Sequence, residues 1–123
     1  MPEGDEERAL AALMAAYQDG RLEAFDGLYL ALEAELRRFF TARCHDASRI
    51  EDLVQETFLQ IHRSRRAYLR HLPVRPWVYA IAKRALLMHI RRMRRRERTY
   101  RHRPRLRRAT SVPTQRSARA AGR

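Results

Sequence analysis

Glu51-Asp52-Leu53-Val54-Gln55-Glu56-Thr57-Phe58 is the stretch on which the fold turns, because it carries two patterns on one helical segment. At about 3.6 residues per turn, Ile50, Val54, Thr57, Phe58 and Ile61 share one side, which reads as a face turned to a core. Asp52, Gln55, Glu56 and Leu59 share the other. A face kept for solvent carries polar groups, so a leucine among two carboxylates and an amide marks a small protein-binding patch with an apolar centre and an acidic rim. The alternative is an ordinary amphipathic helix with one exposed leucine, a common surface feature. Periodicity alone leaves both readings open.

Upstream, Asp5 is placed to cap a first helix through about Gln18, with Leu10, Leu13, Met14 and Tyr17 on its apolar side. Asp19-Gly20 ends it. A second helix, from about Leu22 to Arg43, repeats apolar residues at Leu22, Phe25, Tyr29, Leu32, Leu36, Phe39 and Phe40, in the steps of three and four of a bundle helix. Ser48, with Glu51 three residues on, forms a capping box that opens the third helix, expected to run to about Arg66. Downstream, Pro73 and Pro76 remove donors and push the residues before them toward extended conformations, so Tyr68 to Pro76 reads as a loop. Pro76 suits the first position of a fourth helix, from Trp77 toward Arg96, fraying near Glu97 or Tyr100. Trp77, Val78, Ile81, Ala82, Ala85, Met88 and His89 cover a wide, mostly apolar arc of it. Lys83, Arg84, Arg91 and Arg94 gather with Ala80 and Leu87 on a narrow one, a basic stripe that reads as a nucleic-acid surface rather than a merely solvated face. No strand pattern occurs. The expected fold is all-α, a compact bundle of about four helices over residues 1–97, followed by an Arg-rich disordered tail over 98–123.

Composition narrows the function. A chain of 123 residues makes one domain at most. Its net charge of +13 hides a division: residues up to Gln60 hold thirteen of the fourteen acids and six of the 27 bases, leaving about −7 on the first part and about +20 on the second. A polyanion is the natural partner of the basic part, since clustered arginines displace counterions from phosphates. Cys44 stands alone and the five histidines are scattered without paired spacing, so neither a disulfide nor a metal site is expected. No cofactor motif occurs. Carboxylates and histidines form no recognisable acid, base and nucleophile arrangement, so the chain does not read as an enzyme. The acidic start and the lack of a long apolar run point to a cytoplasmic protein with no membrane partner.

Three motifs in order carry a family resemblance: Glu51-Asp52-Leu53-Val54-Gln55-Glu56-Thr57-Phe58-Leu59, then Trp77-Val78-Tyr79-Ala80-Ile81-Ala82-Lys83, then His89-Ile90-Arg91-Arg92. Their order and spacing resemble region 2 of bacterial RNA polymerase sigma factors of the extracytoplasmic-function (ECF) group in the sigma-70 family. Glu23-Ala24-Phe25-Asp26-Gly27-Leu28-Tyr29 is similar to the opening of that domain, so the resemblance covers about Glu23 to Arg96.

The resemblance implies two partners in transcription initiation. The helix bearing Asp-Leu-Val-Gln-Glu would dock on the clamp helices of the largest subunit of core RNA polymerase through Asp52, Gln55 and Glu56, and Leu59 joins them by its place on the same face. The loop would capture a base flipped out of the promoter minus-ten element: Arg70, His71 and Arg75 suit a base edge or a phosphate, and Tyr68 suits stacking. The next helix would present Ala80, Lys83, Arg84, Leu87, Arg91 and Arg94 to promoter DNA, while Trp77, at the head of the apolar arc, is expected to pack against the core. An anti-sigma factor is a further partner open to such a module. Two departures matter. The family often has Asn where Arg84 stands and Asp where Met88 stands, so amide recognition of adenine is lost and the promoter sequence is not legible. The region-4 helix-turn-helix of complete members has no counterpart after Arg96. Two other readings stay open: a stand-alone basic nucleic-acid-binding protein, and a truncated regulatory form that competes with complete sigma factors for the polymerase clamp.

Overall fold

The computed structural model describes residues 2–102. Among them are four α-helices and no strand: α1 (Pro2–Gln18), α2 (Glu23–Arg43), α3 (Ile50–Ser64) and α4 (Val74–His102), with short 3-10 turns at Ala47–Arg49 and Arg65–Ala67. The chain divides into two units, one ending at Met88 and one beginning at His89. The hydrophobic core belongs wholly to the first. Leu10, Met14 and Tyr17 come from α1, Leu28, Leu32, Leu36 and Phe40 from α2, Val54, Phe58 and Ile61 from α3, and Val74, Val78 and Ala82 from α4. In the second unit α4 continues as helix through His102. No helix among the described residues is long and apolar enough to cross a membrane.

The joint between α1 and α2 is set by backbone geometry. Arg21 N–H donates to Ala16 O at 3.0 Å and Gly20 N–H to Tyr17 O at 3.1 Å, the paired bonds of a Schellman ending. Gly20, at φ +95°, is the left-handed residue this ending requires. A Cβ added there meets nothing within 4 Å, so Gly20→Ala tests strain alone. We expect it to lower stability by about 1 kcal/mol, or roughly 5 °C in Tm, in thermal melts. An unchanged melt would remove the ending from the stabilising features. Further along, a Cβ on Gly27 would stand 2.8 Å from Leu13 Cδ2, so the small residue lets α2 approach α1 closely.

Several boundaries differ from expectation for identifiable reasons. α1 starts before Asp5, which is no cap: its carboxylate pairs with Arg8 at 2.9 Å, one turn on. Leu22 precedes α2 and is 60% exposed, and Ala24 and Leu28 carry the buried line in its place. Ser48 does not cap α3. Asp46 caps the short turn before it, accepting from Ser48 N–H at 3.1 Å, while Glu51 turns to Arg37. α4 begins at Val74, with Arg75 and Pro76 in its first turn, where a missing N–H costs no helical bond. Met88, expected on the apolar arc, is exposed. The helix persists past Glu97 to His102, while residues 103–123 of the expected tail lie outside the described residues.

Candidate functional site

On α3 the buried residues Ile50, Val54, Thr57, Phe58 and Ile61, with Leu53, face the core, and Asp52, Gln55 and Leu59 are exposed opposite them. Thr57, fully buried, donates its hydroxyl to Leu53 O at 2.8 Å within its own helix. The three carboxylates of this helix are not equivalent. Glu51 receives Arg37 at 2.7 Å and the Gln55 amide at 3.1 Å, and these bonds, Arg37's foremost, hold its carboxyl below the usual range. Its charge is thereby compensated. Among the described residues Asp52 has one ion pair, with Arg49 at 3.6 Å, and Glu56 accepts from the neutral amide of Gln60 at 3.0 Å. The charge of this face therefore resides on Asp52 and Glu56.

Leu59 is not isolated. It borders a groove of about 390 Å³ lined also by Tyr17, Leu22, Phe25, Gln55, Phe58 and His62. Tyr17 and Phe25 pack at 5.6 Å between ring centroids, and the Tyr17 hydroxyl is hydrogen-bonded to His62 Nδ1. Burial raises the Tyr17 phenol above its ordinary pKa. The exposed Leu22 and Leu59 thus flank one apolar depression beside the acidic residues. The sequence reading put Leu22 and Phe25 on the core face of the second helix and gave His62 no role; the one available signal was Leu22 itself, out of step with the Ala24-Leu28-Leu32 line.

In the loop the structure separates the expected DNA residues. Tyr68 is a core residue, 3% exposed, with its hydroxyl donating to Leu72 O and its ring against Trp77 at 5.1 Å between centroids. Burial, then the charge of Glu7, raises its phenol pKa. Trp77 packs against the core, as expected. Arg70 donates to Gln18 Oε1 at 2.7 Å and to Asp19 Oδ1 at 2.5 Å, while Gln18 donates to the carbonyls of Arg65 and Tyr68 at 2.7 and 2.6 Å. These bonds fasten the start of the loop to the end of α1. Arg75 forks onto Glu35, with Nε at 3.1 Å from Oε1 and an outer nitrogen at 2.8 Å from Oε2, and also reaches Glu7 at 2.7 Å and Glu6 at 3.3 Å. The Tyr79 hydroxyl donates to Glu35 as well, at 3.2 Å. Arg75 holds the Glu35 carboxyl below its usual range; burial, then the nearby Glu35 charge, raises the Tyr79 phenol. In this conformation Tyr68, Arg70 and Arg75 are thus engaged within the fold, and His71 is exposed between the exposed Leu69 and Leu72.

On α4 the buried Val78, Ala82 and Ala85 face the core, and Ala80, Lys83, Arg84 and Leu87 are exposed. In the second unit Arg91 and Arg94 are exposed, as are Arg92, Arg95 and Arg96. Helical periodicity turns the short and cationic residues away from the core together, so the first unit's part of α4 offers a cationic strip with an apolar member, Leu87. Among the described residues no group of His, Cys, Asp and Glu is placed to hold a metal ion.

Residues 28–96 match the model of Sigma-70 region 2. Over 90 residues, 72% of this chain and 50% of the relative, the sequence is 39% identical to the ECF RNA polymerase sigma factor SigF of Caulobacter vibrioides (strain NA1000 / CB15N). The chain thus spans about half the length of that curated relative.

Proposed function

Because the chain belongs to the sigma-70 region 2 family, as an ECF-type module, we propose that it binds core RNA polymerase through α3 and the promoter minus-ten element through the following loop and α4. One observation carries the reading: the first unit bears an acidic patch with an apolar centre on α3 and a cationic strip on α4, and the two share no residue. Asp52, Gln55, Glu56 and Leu59 form the polymerase surface, where Asp52, with its long pair to Arg49, and Glu56, bonded to a neutral amide, orient the encounter with basic clamp helices and Leu59, beside the groove, supplies desolvated contact. Ala80, Lys83, Arg84 and Leu87 of the first unit face DNA; in the second unit, taken by itself, the exposed Arg91 and Arg94 are DNA contacts.

The role of the loop is narrower than its sequence suggested. Arg70, Arg75 and Tyr68 fasten the loop and α4 to the helices beneath, and His71 with Leu69 and Leu72 is what remains to meet an extruded base. Extrusion costs a few kcal/mol, which apolar contact and a hydrogen bond from His71 would offset. The module contributes binding and positioning, and the chemistry belongs to the polymerase.

The test uses the full chain reconstituted with bacterial core polymerase and a promoter fragment carrying a photoreactive minus-ten strand. Cross-linking to the strand and promoter-dependent run-off product are both expected. Arg84→Ala should lower the cross-link about tenfold, within the range for loss of one base or phosphate contact by arginine. Unchanged cross-linking would remove α4 as the reader, and cross-linking without run-off product would leave a module that occupies the clamp without initiating.

A further inference from the structure

Where α2 and α4 pack together, matching positions come in steps of four: Glu35, Phe39 and Arg43 on α2, and Arg75, Tyr79 and Lys83 on α4. The first step is the ion pair of Glu35 with Arg75. The second is an aromatic contact, Phe39 against Tyr79 at 5.3 Å between centroids. At the third step both residues are cations. Arg43 and Lys83 line one open groove of about 1130 Å³, with Arg38 beside them on α2. The acids of that groove, Glu6, Glu7 and Glu35, are all bonded to Arg75 at its other end.

We propose that Arg38 and Arg43 of α2, together with Lys83, form a second DNA-backbone contact that carries phosphates from the α4 strip across onto α2. The inference rests on the DNA-binding reading above and adds two residues to it.

Three observations support phosphates as the occupant. Like charges are gathered on one surface, and Arg38 and Lys83 have no ion pair among the described residues, an arrangement that an anion relieves. Arg38 is near enough to Glu35 to lower its pKa through space, yet donates no hydrogen bond to it, so its guanidinium remains available. Arg43 is held in place: its guanidinium carbon lies 4.0 Å over the Phe39 ring, and one nitrogen donates to Phe39 O at 3.1 Å. A guanidinium fixed by stacking loses less freedom when its remaining donors meet a phosphate. Lys83 joins the cationic end to the α4 strip, so a strand lying on α4 meets Arg43 and Arg38 next. The carboxylates around Arg75 set the limit of the track, since phosphates would be repelled there.

Salt dependence of DNA affinity is the appropriate readout, because each phosphate contact adds roughly one to the slope of log affinity against log salt. All variants keep the same basic C-terminal sequence, which contributes equally to each slope. With full chain and a duplex promoter fragment, Arg38→Gln with Arg43→Gln should reduce the slope by about two, while Arg38→Lys with Arg43→Lys should retain it. Matching circular dichroism melts secure that the exposed substitutions leave the fold intact. If the glutamine pair leaves the slope unchanged while Arg84→Gln lowers it, the α2 track is overturned and the α4 reading stands. If neither changes the slope, both fall.

Discussion

A variant with Asp52→Lys and Glu56→Lys is expected to lose at least about a hundredfold in affinity for core polymerase while binding DNA as before. The expectation follows from where the charge of α3 is left uncompensated. Glu51 is tied to Arg37 and Gln55, whereas among the described residues Asp52 has a long pair with Arg49 and Glu56 accepts from a neutral amide. Truncating one partner of a desolvated charge pair costs about 2–5 kcal/mol, and reversal adds repulsion, so roughly 3 kcal/mol for the two sites is a conservative figure. The fold should survive. The Asp52 side chain is 72% exposed, so its pair with Arg49 adds little to stability, and losing an acid from the first helical turn costs about 0.3–1 kcal/mol. Pull-down with core polymerase, beside a melt of the free protein, separates binding from stability. Leu59→Ala should weaken binding less and leave DNA affinity untouched. Capture of the double-lysine variant at wild-type levels would reject α3 as the docking helix.

The second large effect lies at Arg75. Arg75→Ala leaves Glu35, whose side chain is 21% exposed, facing Glu7 and Glu6 with no ion pair and only the through-space charge of Arg38. Breaking a fully buried pair costs about 3–5 kcal/mol, and this partly solvated cluster should cost about 2–3 kcal/mol, or on the order of 10 °C in Tm. The loss should depend on pH with a definite sign. Bonds from Arg75 hold the folded Glu35 carboxyl below its ordinary value of 4.5. Its contribution is thus fully present above that value and is lost as pH falls through the lower, folded one. The gap in Tm between wild type and Arg75→Ala should therefore be widest near neutral pH and narrow in acid. A gap that stays constant down to about pH 3 would show that the Glu35 charge has no part in it. Arg75→Met combined with Glu35→Gln should recover part of the loss, since an apolar stem can replace an ion pair without leaving a lone charge.

How much could be read in advance depended on the distance over which each feature is decided. The two faces of α3 were legible because periodicity is a property of neighbours three and four residues apart, and all five expected core positions are buried. The same holds for Val78, Ala82 and Ala85 against Lys83 and Arg84 on α4. Caps were read less well, since Ser48 and Asp46 offer similar oxygens and a 3-10 turn, Ala47–Arg49, takes the cap just before α3 starts at Ile50. The engagement of the loop residues within the fold was not legible for a different reason. An arginine, a tyrosine and prolines in a connecting segment look available, but Arg75 is claimed by carboxylates 40 to 69 residues away and Arg70 by Asp19, 51 away. No local pattern encodes those pairs. Arg38 and Arg43 were passed over for the same reason, since their importance comes from Lys83 on another helix.

The bond from Arg75 to Glu7 joins residues 68 apart in sequence, the first helix to the last. In an unstructured chain, closing a loop of that length costs about 4 kcal/mol of entropy beyond a constant. Formation of α2 and α3 shortens the effective loop before the bond forms, so the ion pair is cheapest as a late event. The order of assembly follows: α1, α2 and α3 pack through near-neighbour contacts, and the helix proposed to meet DNA is seated afterward, its first turn gripped by acids of the opening helix. During synthesis those acids emerge first and wait for their cation until the loop has cleared the ribosome. A nascent chain would thus hold the helix proposed to meet polymerase in a nearly finished environment before the helix proposed to meet DNA is anchored.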